Sequence, residues 1–454
     1  MSSARRSPDL AITGGTVVFP GAGERAVDLG IRDGHIAAIA APGTELDAPQ
    51  TTDASGLHIF PGLIEPHAHW GLGADLEDFR TESRSAARGG VSTVLVFLRH
   101  KDPYDRLFEA YRDAGERTSI TDFGFHAVLL TERHLAEVDH CADDLGIKSF
   151  KFYLTARSEE ATLWGVDGID DGFMLDCFRA VARDPSRLLI AHCENVEVVQ
   201  RTRAALRDAG EDGMDSWQRS RPLLAEVDGI RRACLFAQDA GCRLNVLHLT
   251  SEAGLQEIRD FRRRYPPIFA EVCHTYLALC DEDGLTIAAK VKPTLRTTRD
   301  RDALWDALGA GEIQTVGSDH VPRRLETKEG SVWSPATGVP GTATLLPLLL
   351  SEGHHRRGMP LARIAEATSL ASARLYGLYP RKGAIEIGSD ADLCFVDLES
   401  VREVRAGELE SHADYSLYEG WKLKGWPVHT MVRGRWAMRD EEIQTEGIGS
   451  YVGR

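Results

Sequence analysis

Cysteine is sparse in this chain and spaced for neither a disulfide scaffold nor a zinc knuckle. Eight cysteines lie scattered over 454 residues with no CxxC pair, so reduced thiols in a cytoplasmic enzyme are expected. No stretch approaches eighteen consecutive apolar residues, which predicts no membrane span. The polar segment Met1 to Pro8 is followed by no apolar core of a leader, so no secretory signal is expected. Basic residues are in deficit: 53 Lys and Arg against 69 Asp and Glu leave a net charge of −16, which argues against nucleic acid as a partner. Internal repeats and low-complexity segments are missing as well.

What is present is the ordinary material of a large globular enzyme, 43% hydrophobic and 27% charged. Residues 9–59 carry short β-type segments punctuated by glycine, among them Ala11 to Phe19 and Ile31 to Ile39, with Asp33-Gly34 as a hairpin turn. From Pro61 the pattern changes to strand–helix alternation. Eight strand candidates follow: 59–66, 92–97, 123–129, 149–153, 188–192, 244–249, 268–273 and 314–317. Amphipathic stretches such as 223–240 and 299–310 separate them. Strands followed by helices, eight times over, predict a (β/α)8 barrel. Strand signals return at 391–397, 428–433 and 435–439. Neither end is long enough for a β domain of its own. The expected layout is α/β: a TIM barrel over 60–383, flanked by a small β-sandwich built from residues 1–59 and 384–454.

Six polar residues stand where the apolar runs end: His67 and His69 in Pro61-Gly-Leu-Ile-Glu-Pro-His-Ala-His69, then Lys151, His192, His248 and Asp319. Singly, each has an ordinary structural reading. The histidines could be solvated or satisfied in the core, Asp319 could cap the next segment, and Lys151 could snorkel. Jointly they fall at strands and at one predicted end, where a barrel puts its active site. His67 and His69 are two residues apart, hence on one face of a strand. A protonated lysine cannot bind a metal and is costly to bury, whereas its carbamate is an anionic oxygen ligand able to bridge two cations. One ion would then take His67, His69, Asp319 and the carbamate, the other His192, His248 and the carbamate. A bridging hydroxide is the expected nucleophile, because coordination lowers the pKa of water. Asp319 is the catalytic candidate that takes its proton and passes it to the leaving nitrogen.

These motifs resemble the cyclic amidohydrolases of the amidohydrolase superfamily. The resemblance rests on the His67/His69 segment, Gly146 to Thr155, Ile190-Ala-His-Cys-Glu-Asn195, Asn245-Val-Leu-His-Leu-Thr-Ser251, Val316 to Pro322 and Tyr379 to Leu393. Hydantoinases and dihydropyrimidinases are most similar, with allantoinases next. The resemblance implies two divalent ions (zinc), a carbamylated Lys151, a homotetramer or homodimer, and hydrolytic opening of a small cyclic amide or imide. The alternatives are an allantoinase-like ureide hydrolase and a non-catalytic hydantoinase-like scaffold. Retention of all six ligands disfavours the scaffold, and Lys151 disfavours a mononuclear deaminase.

The departures concern substrate. Hydantoinases carry a tyrosine five residues after the metal lysine, and here that place is Ala156. Tyr153 is expected to point away from Lys151. The family's Ser-Pro-Pro-Leu-Arg reads Lys292-Pro-Thr-Leu-Arg296, and its Asn-Gly reads Thr337-Gly338. Ala156, Lys292 and Thr337 are therefore the candidate substrate contacts, with Lys292 available to an anionic group or an oxyanion. A larger or anionic ring is expected to suit this pocket better than plain hydantoin. Dihydroorotases place an arginine two residues after the second histidine, where this chain has Gly71. Trp70, Trp164 and Trp333 are candidates for the entrance, and His126, His274 and His320 for structural roles.

Overall fold

Eight short apolar segments pair in parallel, in chain order, into one sheet. They are β1 (Leu63–Ala68), β2 (Val91–Leu98), β3 (Asp122–Val128), β4 (Ser149–Tyr153), β5 (Leu188–His192), β6 (Leu244–Val246), β7 (Ile268–Cys273) and β8 (Thr315–Gly317). This computed structural model describes residues 7–157, 159–166, 168–334, 336–443 and 447–454. The strands are buried on both faces, as the near-continuous Val/Ile/Leu/Phe runs require. The sheet closes just beyond the ends of β1 and β8. His69 N donates to His320 O at 2.8 Å and His320 N donates to His67 O at 3.2 Å. β6 stops at Val246, short of the expected end at 249, whereas β8 ends at Gly317 as expected. His248 and Asp319 turn the chain out of the ladder with φ of +38° and +50°.

Helices return the chain between strands and wrap the barrel. Leu223–Ala240 is one, started after Pro222 and stopped by Gly241 at φ +69°. Thr298–Gly309 is another, held at its start by a reciprocal capping box between Thr297 and Asp300. Among the described residues no helix is long and apolar enough to cross a membrane.

The chain ends build two further sheets, one of four strands and one of seven. The seven-stranded sheet joins N-terminal strands (Thr16–Phe19, His58–Pro61) to C-terminal ones (Leu393–Glu403, Lys422–Val432, Arg435–Arg439). Ile12, Leu29 and Ile31 from the first sheet meet Ile59, Phe395 and Met431 from the second in a shared apolar core. The strand expected over 59–66 is in fact two. His58–Pro61 pairs with Leu393–Glu403 in the outer sheet, and only Leu63–Ala68 belongs to the barrel. Gly62 makes the step: its N–H donates to Asp392 O at 2.8 Å, and a Cβ there would run into the Ser92 hydroxyl.

A buried charge cluster locks the sheets to the opening strand ends of the barrel. Lys382 Nζ contacts Asp122 at 2.7 Å, Asp390 at 3.0 Å and Asp392 at 2.6 Å. Arg433 reaches Asp122 from the other side at 3.0 Å. The ammonium is only 1% exposed, and these carboxylates hold its pKa above the usual lysine range although burial opposes this.

Candidate functional site

All six strand-end residues converge on one cavity of about 130 Å³ at the carboxyl ends of the barrel strands. β1 presents His67 and His69 on one face. Asp319, just past β8, receives both through one oxygen: His67 Nε2 lies 3.1 Å and His69 Nε2 3.0 Å from Asp319 Oδ1. Burial alone would depress the His67 imidazole, but the carboxylates of Asp319 and Glu271 outweigh it and push the pKa up to about 9. His69 has no second carboxylate, so burial wins and its pKa falls to about 4. Burial works against ionised Asp319 as well, yet the two imidazoles keep its carboxyl well below the ordinary range.

A second pair stands opposite. His192 Nδ1 and His248 Nε2 are 2.9 Å apart, and the His248 ring centroid is 5.6 Å from that of His67. Each pair is oriented from behind. His67 Nδ1 donates to Glu271 Oε1 at 2.6 Å, and His192 Nε2 donates to Glu194 Oε2 at 2.7 Å. Arg221 neutralises Glu194 in a fully buried pair. Below His67, Glu65 Oε1 accepts the backbone N–H of His67 and of Ser318, each at 3.0 Å. It thus pins β1 to the chain leaving β8. Burial pushes the Glu65 carboxyl up to about 7, with Glu271 adding to the shift.

Lys151 lies between the two pairs. It is fully buried, and its Nζ finds no hydrogen-bond partner. The ammonium instead faces the rings of Phe97 at 5.4 Å and Tyr153 at 4.6 Å. Burial pushes its pKa down to about 8, opposed by the charges of Asp319 and Glu271.

The donor set fits metal ions. Among the described residues, His67, His69 and Asp319 offer three ligand atoms to one point. Two ligands ~2.0–2.1 Å from a tetrahedral ion stand ~3.3 Å apart, close to the observed 3.0–3.1 Å about Asp319. Carboxylates behind ligating imidazoles are the usual outer support of such sites. Another acidic group, Asp122 with Asp390 and Asp392, is already occupied by Lys382.

A model of the amidohydrolase family matches residues 58–437. The chain belongs to the amidohydrolase family. This amidohydrolase is 32% identical to an L-hydantoinase of Paenarthrobacter aurescens over 94% of each chain. It is 33% identical to an allantoinase of Solibacter usitatus over 98% of its own length and 96% of that protein. Among solved structures, the L-hydantoinase of Arthrobacter aurescens superposes with a TM-score of 0.91 at 29% identity, covering 98% of this chain and all of the other. The dihydropyrimidinase of Brevibacillus agri gives 0.89 at 25% identity, covering 98% of each. The family is metal-dependent, and the chain carries the residue groups to match.

The substrate candidates divide. Lys292 and Thr337 line the cavity. Ala156 does not: it is fully buried beyond the end of β4 and packs into the barrel core. Tyr153 corrects an expectation. Residues 151 and 153 of a strand share a face because side chains alternate with period two, so Tyr153 points with Lys151 into the cavity. Trp164 lines the cavity. Trp70 is instead buried against Phe79 with ring centroids 5.2 Å apart, and Trp333 donates to Glu211 O at 2.8 Å. His126 and His320 are structural, the first bonded to Ser149 and Pro66, the second to Glu82 and to the backbone at 341–342. His274 sits buried beside Thr344. Sequence reasoning did not single out Glu65, Glu194, Glu271 or Arg221, nor the cavity-lining Arg99 and Arg323.

Proposed function

We propose that this enzyme opens a small cyclic amide or imide with two divalent ions, zinc by the character of the ligands. His67, His69 and Asp319 would hold one, His192 and His248 the other, and a carbamylated Lys151 both. When bound, such ions polarise a carbonyl and bring the pKa of water to ~7. The observation that carries the reading is the convergence of four imidazoles, one carboxylate and one buried, partnerless amine on a single cavity.

The protein's own residues divide the remaining work. Asp319 is the one carboxylate lining the cavity among the described residues, so it takes the proton of the attacking water and delivers it to the ring nitrogen. The C–O bond forms first and the carbonyl oxygen takes up the electron pair as an oxyanion; the acyl C–N bond then breaks as the proton reaches nitrogen, and the product is a ring-opened acid. Glu271 and Glu194 fix the tautomers of His67 and His192. Tyr153 takes over the oxyanion role that position 156 cannot fill, since its phenol is the aromatic hydroxyl lining the cavity.

Metal analysis and a substrate panel test this reading together. Protein loaded with zinc should bind about two equivalents and hydrolyse at least one of hydantoin, dihydrouracil, allantoin, dihydroorotate, glutarimide or phthalimide. Purification without stoichiometric metal and inactivity on every ring would point to a scaffold. Preference for allantoin would move the enzyme to the ureide branch.

A further inference from the structure

We infer that the ring opened by this enzyme carries a carboxylate, received by Arg99 and Arg323 at the cavity mouth. The inference rests on the cyclic-amide reading above and narrows its substrate class.

Arg99 follows β2 directly, and Arg323 lies four residues beyond Asp319. Both line the cavity that holds the six strand-end residues. The lining is one-sided in charge. Outside the six strand-end residues its charged side chains are Arg99, Lys292 and Arg323, all basic, and the one carboxylate of the lining, Asp319, is already engaged by His67 and His69. Elsewhere many guanidiniums of this acidic chain pair with carboxylates, as Arg157 does with Asp171 and Glu197, Arg231 with Glu257 and Arg402 with Glu441, while others such as Arg262 and Arg454 donate to backbone carbonyls. With sixteen more acidic than basic side chains, carboxylate partners are plentiful. Among the described residues neither Arg99 nor Arg323 has one. Arg99 lies over the Trp164 ring at 4.9 Å, which holds its planar group at the mouth. Arg323 is partly buried, and its Nε is shut from solvent without a hydrogen-bond partner. Burial, then the charge of Arg99, depress its pKa, so the two cations lie within electrostatic reach of one another.

Two like charges held together without a counter-ion destabilise the free protein and become favourable when an anion enters between them. The planar fork of a guanidinium matches a carboxylate in a bidentate fashion. Size points the same way. A cavity of about 130 Å³ lies below the ~300–1,000 Å³ common for small-molecule sites, so a ring with a short acidic arm fits better than one with a bulky aryl group.

The test uses full-length, zinc-loaded enzyme and three probes: hydantoin-5-acetic acid, its primary amide of nearly the same shape, and hydantoin. The acid should exceed the amide about 100-fold in kcat/KM at low salt, the scale of a desolvated charge pair, and the margin should shrink as salt rises. Calorimetry on metal-free protein should show the same preference in affinity, which does not depend on turnover. Arg99→Met and Arg323→Met should each cut the acid-over-amide preference about tenfold or more, with Arg99→Lys restoring part of it. Equal handling of acid and amide by the wild type overturns the inference, and so does a preference that neither methionine variant reduces. If hydantoin is opened without any preference for the acid, the receptor falls and the cyclic-amide reading stands. If no probe is opened but the acid alone binds, the receptor stands and that reading falls.

Discussion

The carbamylation proposed for Lys151 depends on one proton, which makes its pH profile a quantitative test. Only the neutral amine attacks CO2. A free lysine has a pKa near ~10.4, and burial pushes Lys151 down to about 8 against the opposing charges of Asp319 and Glu271. At about pH 7.5 the neutral fraction therefore rises from ~0.1% to ~25%, roughly a 200-fold gain in reactive amine. The sign is fixed: the neutral form grows as pH rises through the folded value, then levels off. The experiment takes metal-free protein at constant dissolved ¹³CO2, from about pH 6 to 10, and follows the carbamate carbon by NMR, with Lys151→Ala as the blank. The initial rate of the difference signal should climb roughly tenfold per pH unit at the acid end and flatten just above pH 8. A rate still climbing at that slope beyond about pH 9 would show an ordinary, solvated amine and refute the argument. A carbamate signal undiminished in Lys151→Ala would refute the assignment.

Three further expectations follow from the geometry. Glu271→Gln keeps an acceptor for His67 Nδ1 but removes the charge 2.6 Å away, so zinc affinity, measured by chelator competition, should fall ~10–100-fold; unchanged affinity would make Glu271 a packing residue. Tyr153→Phe should lower kcat about 10²–10³-fold with little effect on zinc content, and a loss under about threefold would return the oxyanion role to another group. Lys382→Met strands three carboxylates around an apolar side chain. Urea unfolding should show a loss of about 3–5 kcal/mol, and a loss below about 1 kcal/mol would mean that Arg433 and water already neutralise the cluster.

Much of this architecture is legible in the sequence, for identifiable reasons. A barrel strand buried on both faces reads as an apolar run, and a polar residue ending that run has one place to go, so the six converging side chains could be named in advance. The supporting shell could not. Glu271 meets His67 across 204 residues, and its own segment looks like any buried strand. Arg99 and Arg323 are two basic residues among 53, and what distinguishes them is a place in the lining of the site cavity with no carboxylate paired to them, which only packing reveals. Tyr153 was within reach, because a spacing of two from Lys151 already places it on the same face. Matching by position puts Ala156 at the substrate only if the chain continues in register after β4. Here it has turned into the core.

The step at Gly62 gives the outer sheets a part in the accuracy of the site. His58–Pro61 is clamped in the seven-stranded sheet, Gly62 is bonded to Asp392, and five residues later the same chain presents His67. The axial position of both β1 histidines is thus set from outside the barrel, as a ruler is set by the end that is held. A slip of one residue would carry them ~3.3 Å along the strand axis and turn them to the opposite face. Lesions around 58–62 or 390–395 should therefore mimic ligand loss: weaker metal binding in a protein whose ligands are all intact. A variant of that kind, found in a screen for lost activity, belongs with the active-site mutants even though it touches neither ion nor substrate.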